Sequence, residues 1–264
     1  MYLDSPQNPR VREWSKLKTK RGREQTGDFI VEGIRLTEEL LQSSLTITHI
    51  LWDLGTDEPP DSLLTAASAR RIPVIEVSPT AFASIADTVT PQGVLAIAKI
   101  PAHALPTQNP SLHALLLDGL QDPGNVGTLL RSADAFGLHE VFTGTGTADP
   151  YSPKVVRASM GGLFRLHVRT GASVEMIELW KQNNPTGQVV LAAASGSQEC
   201  YLADLTKPTL LLVGSEAFGV SSDAAALADV RVRIPMLGEA ESLNAAVAGS
   251  VLMYEVTRQR FAQI

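Results

Sequence analysis

Apolar positions in this chain follow two rhythms, short solid runs and helically spaced stripes, and the two alternate from end to end. Ile34, Leu36, Leu40 and Leu41 fall at the spacing of a buried helical face and predict a helix over 35–41. Strands are predicted at 29–32, 47–52, 73–77 and 93–100, with a further helix at 63–70 and a basic helix over 9–20. Strands and helices in this order describe a small α/β or α+β sandwich. Pro101, Pro106 and Pro110, with polar Thr107, Gln108 and Asn109 among them, mark a linker over 101–112. The chain therefore divides into a first segment, 1–100, and a second, 113–264.

The second segment opens on Ala114–Leu117, a solid apolar run that reads as a strand buried on both faces. A helix over 125–136 follows, closed by Gly137. Strands at 140–143, 166–168, 189–194, 210–213 and 230–234 then alternate with helices at 153–160, 174–183 and 222–227, and a long helix over 242–261 ends the pattern. This is the rhythm of a helix-flanked parallel sheet, an α/β fold. In such sheets ligands sit beyond the carboxyl ends of the strands.

Composition adds limits. Of 264 residues, 44% are hydrophobic and 19% charged, which is the balance of a folded globular protein rather than a disordered one. No apolar run reaches the length of a membrane-spanning helix, and residues 1–10 carry neither a secretory signal nor an Arg-rich transit pattern. One cysteine, Cys200, excludes an intramolecular disulfide and a multi-cysteine metal site, and reads as a buried thiol. The five histidines, at 49, 103, 113, 139 and 167, are dispersed, so no metal is expected. The cytoplasm is the expected compartment.

Net charge is −6, but it is unevenly spread. Arg10, Arg12, Lys16, Lys18, Lys20, Arg21 and Arg23 crowd one stretch, opposed only by Glu13. Local rather than total charge governs phosphate binding. The stretch reads equally as a nucleic-acid contact and as a solvated helix face.

Three loops at predicted strand ends carry unusual residues. The first, 118–127, opens a helix with Gly119, Gly124, Asn125 and Gly127, and matches neither a dinucleotide fingerprint nor a phosphate-binding P-loop. Arg131 follows inside the helix, where position alone would make it a surface charge beside Asp134. The second loop runs from Gly214, which ends a strand and is expected to leave its backbone groups free for a ligand, through Glu216 to Gly219, with Ser221 or Ser222 as the next helix cap. In the third, Pro235 stops a strand, Gly238 permits a turn and Ser242 is positioned to cap the last helix. Ala245, Ala246, Ala248 and Gly249 then allow something to pack tightly, such as a dimer interface or a crossing chain.

In this order the three loops resemble the motifs of the SpoU (TrmH-like) family of RNA ribose methyltransferases, within the SPOUT superfamily. Asn125-Val126-Gly127 with Arg131 is similar to the first motif, and Gly214-Ser215-Glu216 with Gly219 to the second. Ile234-Pro235-Met236 with Ser242-Leu243-Asn244 is similar to the third. Ala217 departs from the family's usual glycine, a change that matters if the position needs a positive φ. The first segment, through Lys20-Arg21-Gly22-Arg23 and Phe29-Ile30-Val31-Glu32-Gly33, resembles the L30e/L7Ae-like substrate-binding domain that many members carry.

The resemblance implies a SPOUT domain over 113–264 with a deep trefoil knot, a homodimer, and S-adenosyl-L-methionine bound in the knot. It implies cofactor contacts at Gly214, Ile234, Leu243, Ala193, Ala194, Met236 and Gly238. It implies a polar site of Asn125, Arg131, Glu216, Ser242 and Asn244, with Arg131 contributed by the other protomer. The reaction implied is methyl transfer to a ribose 2′-hydroxyl of RNA, ribosomal RNA of the 23S type first and transfer RNA second. RNA would be held by Lys16, Lys18, Lys20, Arg21 and Arg23. A non-catalytic RNA-binding or ribosome-assembly protein on the same fold is the rival, and the complete polar site speaks against it.

Overall fold

The computed structural model describes residues 2–102 and 113–261. Pro106 and Pro110, on which the expected linker rests, lie outside the described residues, as do most of 101–112. The chain forms two compact units, Met1–Ala102 with Tyr151–Phe164, and His103–Pro150 with Arg165–Ile264.

The first unit holds a five-stranded mixed sheet in the order β1-β4-β3-β5-β2. Its elements are β1 (Tyr2–Leu3), α1 (Pro9–Ser15), α2 (Lys20–Thr26), β2 (Asp28–Glu32), α3 (Ile34–Gln42), β3 (Ile47–Asp53), α4 (Asp61–Ala69), β4 (Val74–Val77), α5 (Pro79–Ile85) and β5 (Val94–Lys99). Strand β5 runs antiparallel to both neighbours, and its Val94–Ala98 stretch is wholly buried. The basic helix expected over 9–20 is broken. Lys16–Lys18 tighten into a 3-10 turn, Thr19 turns extended, and its hydroxyl accepts the Gly22 amide at 3.1 Å to start α2 afresh. Three elements, α2, β1 and α5, were not expected. The two-residue β1 is too short for any periodicity to show. Helix α5 had a legible start in Ser78-Pro79, where the Ser78 hydroxyl caps the Ala81 amide.

The second unit holds a seven-stranded, wholly parallel sheet in the order β10-β12-β9-β11-β6-β7-β8. It begins with β6 (His113–Asp118), α6 (Pro123–Ala135) and β7 (Glu140–Thr143). The chain then contributes α7 (Pro153–Ala158) to the first unit, where Tyr151 and Phe164 set their rings 5.2 and 6.5 Å from Phe29 and Arg157 bonds Asp87 at 2.8 Å. It continues with β8 (His167–Thr170), α8 (Ser173–Asn183), β9 (Gln188–Ala192), β10 (Gln198–Glu199), β11 (Thr209–Gly214), α9 (Ser222–Ala226), β12 (Val230–Arg233) and α10 (Ala245–Phe261). Strands β6 and β11 sit at the centre and are buried almost throughout, which is why both read as solid apolar runs.

Helix α10 starts at Ala245, three residues later than expected. Ser242 is exposed and caps nothing. Asn244 takes that role, its Oδ1 accepting the Ala246 and Val247 amides at 2.9 and 3.2 Å. Ala245, Ala246, Gly249, Leu252, Met253 and Val256 bury one face of α10, which packs on α6 and β11.

Candidate active site at the ends of the parallel strands

From β6 the chain winds outward through β7 to β8, then returns to the other side through β9 and β11. The winding therefore reverses between β6 and β11, the place where open parallel sheets hold their ligands. The two strands finish level, with Asp118 and Gly214 as register partners.

Three elements bring side chains to this point. After β6, Asp122 caps α6 by accepting the Asn125 amide at 2.8 Å, which sets Asn125 on the first turn. After β11, Glu216 sits in a closed turn: the Ser215 amide donates to the Gly219 carbonyl at 3.0 Å and the Gly219 amide returns the bond at 2.8 Å. Asn244 stands at the head of α10. Oε1 of Glu216 accepts from Asn125 Nδ2 at 2.9 Å, from Asn244 Nδ2 at 2.6 Å and from the Ala245 amide at 3.3 Å. Asn244 Nδ2 also lies 3.1 Å from Asn125 Oδ1. Beside this cluster is a cavity of about 230 Å³ lined by Leu120, Gln121, Asp122, Ser215 and Phe218 together with Asn125, Glu216 and Ala245. One carboxylate oxygen thus collects three donors. Its partner oxygen, Oε2, accepts nothing among the described residues.

Of the five polar residues expected here, the structure joins Asn125, Glu216 and Asn244. Arg131 and Ser242 are exposed, and neither bonds to the cluster. Asp134, expected as a neighbour of Arg131, instead pairs with Arg165 through bonds of 2.8 to 3.1 Å. A residue that sequence reasoning passed over is Asp118, given there no role beyond opening the loop 118–127.

Four of the seven expected cofactor residues stand at adjacent strand ends. Strands β12, β9 and β11 are neighbours, so Ile234, Ala193 with Ala194, and Gly214 follow three adjacent strand ends. The structure gives Gly214 a reason of its own: a Cβ there would overlap the Gly219 carbonyl carbon and the Val220 nitrogen, so the glycine admits the returning loop. Ala217 is free of positive φ, the left-handed position falling at Gly219 instead, and the alanine is unstrained. Gly238 has an ordinary φ and open space where a Cβ would stand, so nothing in the structure requires glycine there.

Between Ile234 and Leu243 no backbone amide donates to the protein among the described residues. Met236, Leu237 and Leu243 are exposed along the same segment. Free backbone donors and acceptors interleaved with uncovered apolar side chains fit a nucleoside, whose flat base needs apolar cover and whose edges need peptide partners. Among the described residues no three His, Cys, Asp or Glu side chains converge as a metal site, and no helix is long and apolar enough to cross a membrane.

In the first unit the basic stretch separates into two groups. Arg23 is only 3% exposed and donates to the Leu17 carbonyl at 2.6 Å. Lys18 donates to the Ser84 carbonyl at 2.7 Å. Both were expected to meet RNA, and both are instead bound into the fold. Arg12 and Lys16 line an open groove of about 480 Å³ with Gln25 and Thr26, and Lys20 and Arg21 are exposed nearby in sequence.

A wholly parallel sheet with a carboxylate–carboxamide cluster at its switch point defines an α/β ligand-binding domain of the enzyme type. Residues 113–254 match the SpoU rRNA Methylase family, and residues 8–96 the MRM3-like substrate binding domain. The chain is 35% identical to the 23S rRNA (guanosine(2553)-2'-O)-methyltransferase RlmP of Bacillus subtilis, over 96% of this chain and 98% of that protein. It is 33% identical to the 23S rRNA (uridine(2479)-2'-O)-methyltransferase of Streptomyces viridochromogenes, over 97% and 91%. The crystal structure of the SpoU methyltransferase AviRb from Streptomyces viridochromogenes, in complex with the cofactor AdoMet, superposes with a TM-score of 0.86 at 30% identity, covering 97% of this chain and 99% of that one. The chain belongs to the SpoU rRNA methylase family, S-adenosylmethionine-dependent RNA methyltransferases carried on a parallel α/β sheet.

Proposed function

We propose that this protein methylates a ribose 2′-hydroxyl of 23S-type ribosomal RNA, with S-adenosylmethionine as donor. The observation that carries the reading is the Asn125–Glu216–Asn244 cluster, set where β6 and β11 end. The relatives favour 23S RNA over transfer RNA, since two of comparable identity act on it by name, one at a guanosine and one at a uridine. That difference also shows why likeness does not choose the nucleotide.

The cofactor supplies an electrophilic methyl group, and the chain's own residues position the nucleophile. Gly214, Ala193, Ala194, Ile234, Met236, Gly238 and Leu243 border the strand ends that would hold it. Glu216 fixes the two carboxamides, and its free oxygen offers an acceptor to the ribose. Arg131 would hold the target phosphate and stabilise the alkoxide as it develops, a role suited to a side chain that keeps its proton. Its exposure, clear of the cluster, agrees with Arg131 serving the site of a second protomer. Ser242 lies exposed on the same segment, where a bound substrate would meet it.

Helix α10 supports a homodimer. Opposite its buried face, Val247, Val251, Tyr254 and Phe261 form an exposed apolar stripe. A helix apolar on both sides expects cover on both, and a second copy of the same stripe provides it by two-fold symmetry. The family's deep trefoil knot would lie within 113–264. The first segment, 1–100, is the RNA-binding part, its unit completed by Tyr151–Phe164, and the rest of 113–264 is the methyltransferase, working in the cytoplasm. RNA would meet Arg12, Lys16, Lys20 and Arg21 rather than the whole basic stretch. Mapping 2′-O-methyl positions in ribosomal RNA from cells with and without the gene tests the reading: one 23S position should lose its mark, and an unchanged map overturns it.

A further inference from the structure

We propose that Asp118 is a positioning residue for methyl transfer, its buried side chain holding the Glu216 turn where it ends at Ser221. The inference rests on the reaction just assigned. Asp118 is 5% exposed, and a carboxylate that deep needs partners. It takes them from two separate elements. The Ser173 hydroxyl at the head of α8 donates to Oδ1 at 2.5 Å, and the Ser221 amide donates to Oδ2 at 2.7 Å. A Cβ on Gly144 would overlap Ser173 Oγ and crowd Oδ1, so backbone closes the remaining space around the group.

The turn that carries Glu216 leaves the sheet at Gly214 and ends at Ser221. Gly214 is the register partner of Asp118 on the neighbouring strand, and Ser221 is bonded to the Asp118 side chain. The Asp118 side chain therefore fastens the return of the turn, while its departure is set by the backbone pairing of β11 with β6. Asp118 touches none of the reacting groups, so its influence passes through Glu216 to Asn125 and Asn244. Displacing a positioned group by about 1 Å can cost about a hundredfold in rate.

The test compares Asp118→Ala, Asp118→Asn and Ser173→Ala in the full chain. Each is read by single-turnover methyl transfer, by KM for RNA, and by amide hydrogen exchange across 215–221. Asparagine can keep both contacts, accepting from the Ser221 amide and donating to the Ser173 hydroxyl. Asp118→Ala should slow transfer about a hundredfold with KM for RNA changed less than about threefold, and should speed exchange at Ser221. Asp118→Asn should restore most of the rate and the protection. A rate within about threefold of the parent in Asp118→Ala, whatever happens to its melting temperature, overturns the proposal, as does a slow Asp118→Asn with its loop still protected. If Asp118→Ala does not fold, Ser173→Ala carries the test: a slower rate with faster Ser221 exchange supports the proposal and an unchanged rate overturns it. Should the parent protein transfer no methyl to RNA, the assigned reaction fails, while exchange at Ser221 still reports whether Asp118 holds the turn.

Discussion

Asn244 donates a hydrogen bond of 2.6 Å to Oε1 of Glu216, 28 residues earlier in the chain, while its own Oδ1 caps the last helix. One carboxamide thus serves stability with its oxygen and the site with its nitrogen. The two roles can be separated. Asn244→Ala should lose about 1 kcal/mol of stability with the cap, and should lose activity as well. Asn244→Asp can still cap the helix but sets a second carboxylate against Glu216. It should be the more stable of the two and still transfer methyl at least about tenfold more slowly than the parent. Thermal unfolding with single-turnover kinetics checks both; full activity in Asn244→Asp removes that hydrogen bond from the mechanism.

Arg131→Ala should slow methyl transfer by about a hundredfold or more and leave cofactor affinity unchanged. Arg131 is exposed and makes no bond to the cluster, so its loss costs little stability. Calorimetry with the cofactor and a tritium-methyl assay on RNA read the two halves of this expectation. An active variant would leave Arg131 a surface charge.

The basic stretch yields two opposite expectations from neighbouring residues. Arg12→Glu with Lys16→Glu should weaken RNA binding and flatten its dependence on salt, since these side chains line an open groove. Arg23→Ala should instead destabilise the protein, by about 1.5–3 kcal/mol, because a buried charged donor and the Leu17 carbonyl lose each other. Salt-titrated RNA binding and urea unfolding distinguish the pairs. Equal RNA affinity in the double reversal would move the RNA contact elsewhere.

His113 gives the fold a defined acid sensitivity. Burial, with help from the Arg260 charge, lowers its pKa to about 4 from an ordinary 6.5. The unfolded chain therefore binds the proton more readily, so this stabilisation is complete above about pH 6.5 and drains away as pH falls toward 4. Between pH 7 and 5 the loss from this one group is about 2 kcal/mol. His113→Asn should flatten the stability profile across that window in urea unfolding. A profile as steep as the parent's would assign the sensitivity to other groups.

The stripe on α10 predicts self-association. Val251→Glu should shift the protein toward monomer in sedimentation equilibrium and reduce activity along with it, if Arg131 serves the partner's site. A parent protein that is already monomeric at micromolar concentration removes the dimer from the mechanism.

Much of this protein was legible along the chain. Solid apolar runs at 114–117 and 210–213 announced buried parallel strands, because a strand covered on both faces has no polar side to alternate with. The loops after them announced where a ligand would bind, and three motifs in order named the reaction class. What the sequence could not determine is anything that depends on a meeting of distant segments. Arg23 and Lys18 read as free cations until folding placed the Leu17 and Ser84 carbonyls against them. Ser242 read as the cap of α10 until the backbone began the helix at Ala245 and gave that role to Asn244. Asp118 looked like the end of a strand, and only the tertiary structure brought Ser173 and Ser221 to its two oxygens. Hydrophobic period is a local property, written into neighbouring residues. The partner of a charge is a non-local one, decided only when the strands take their order in the sheet.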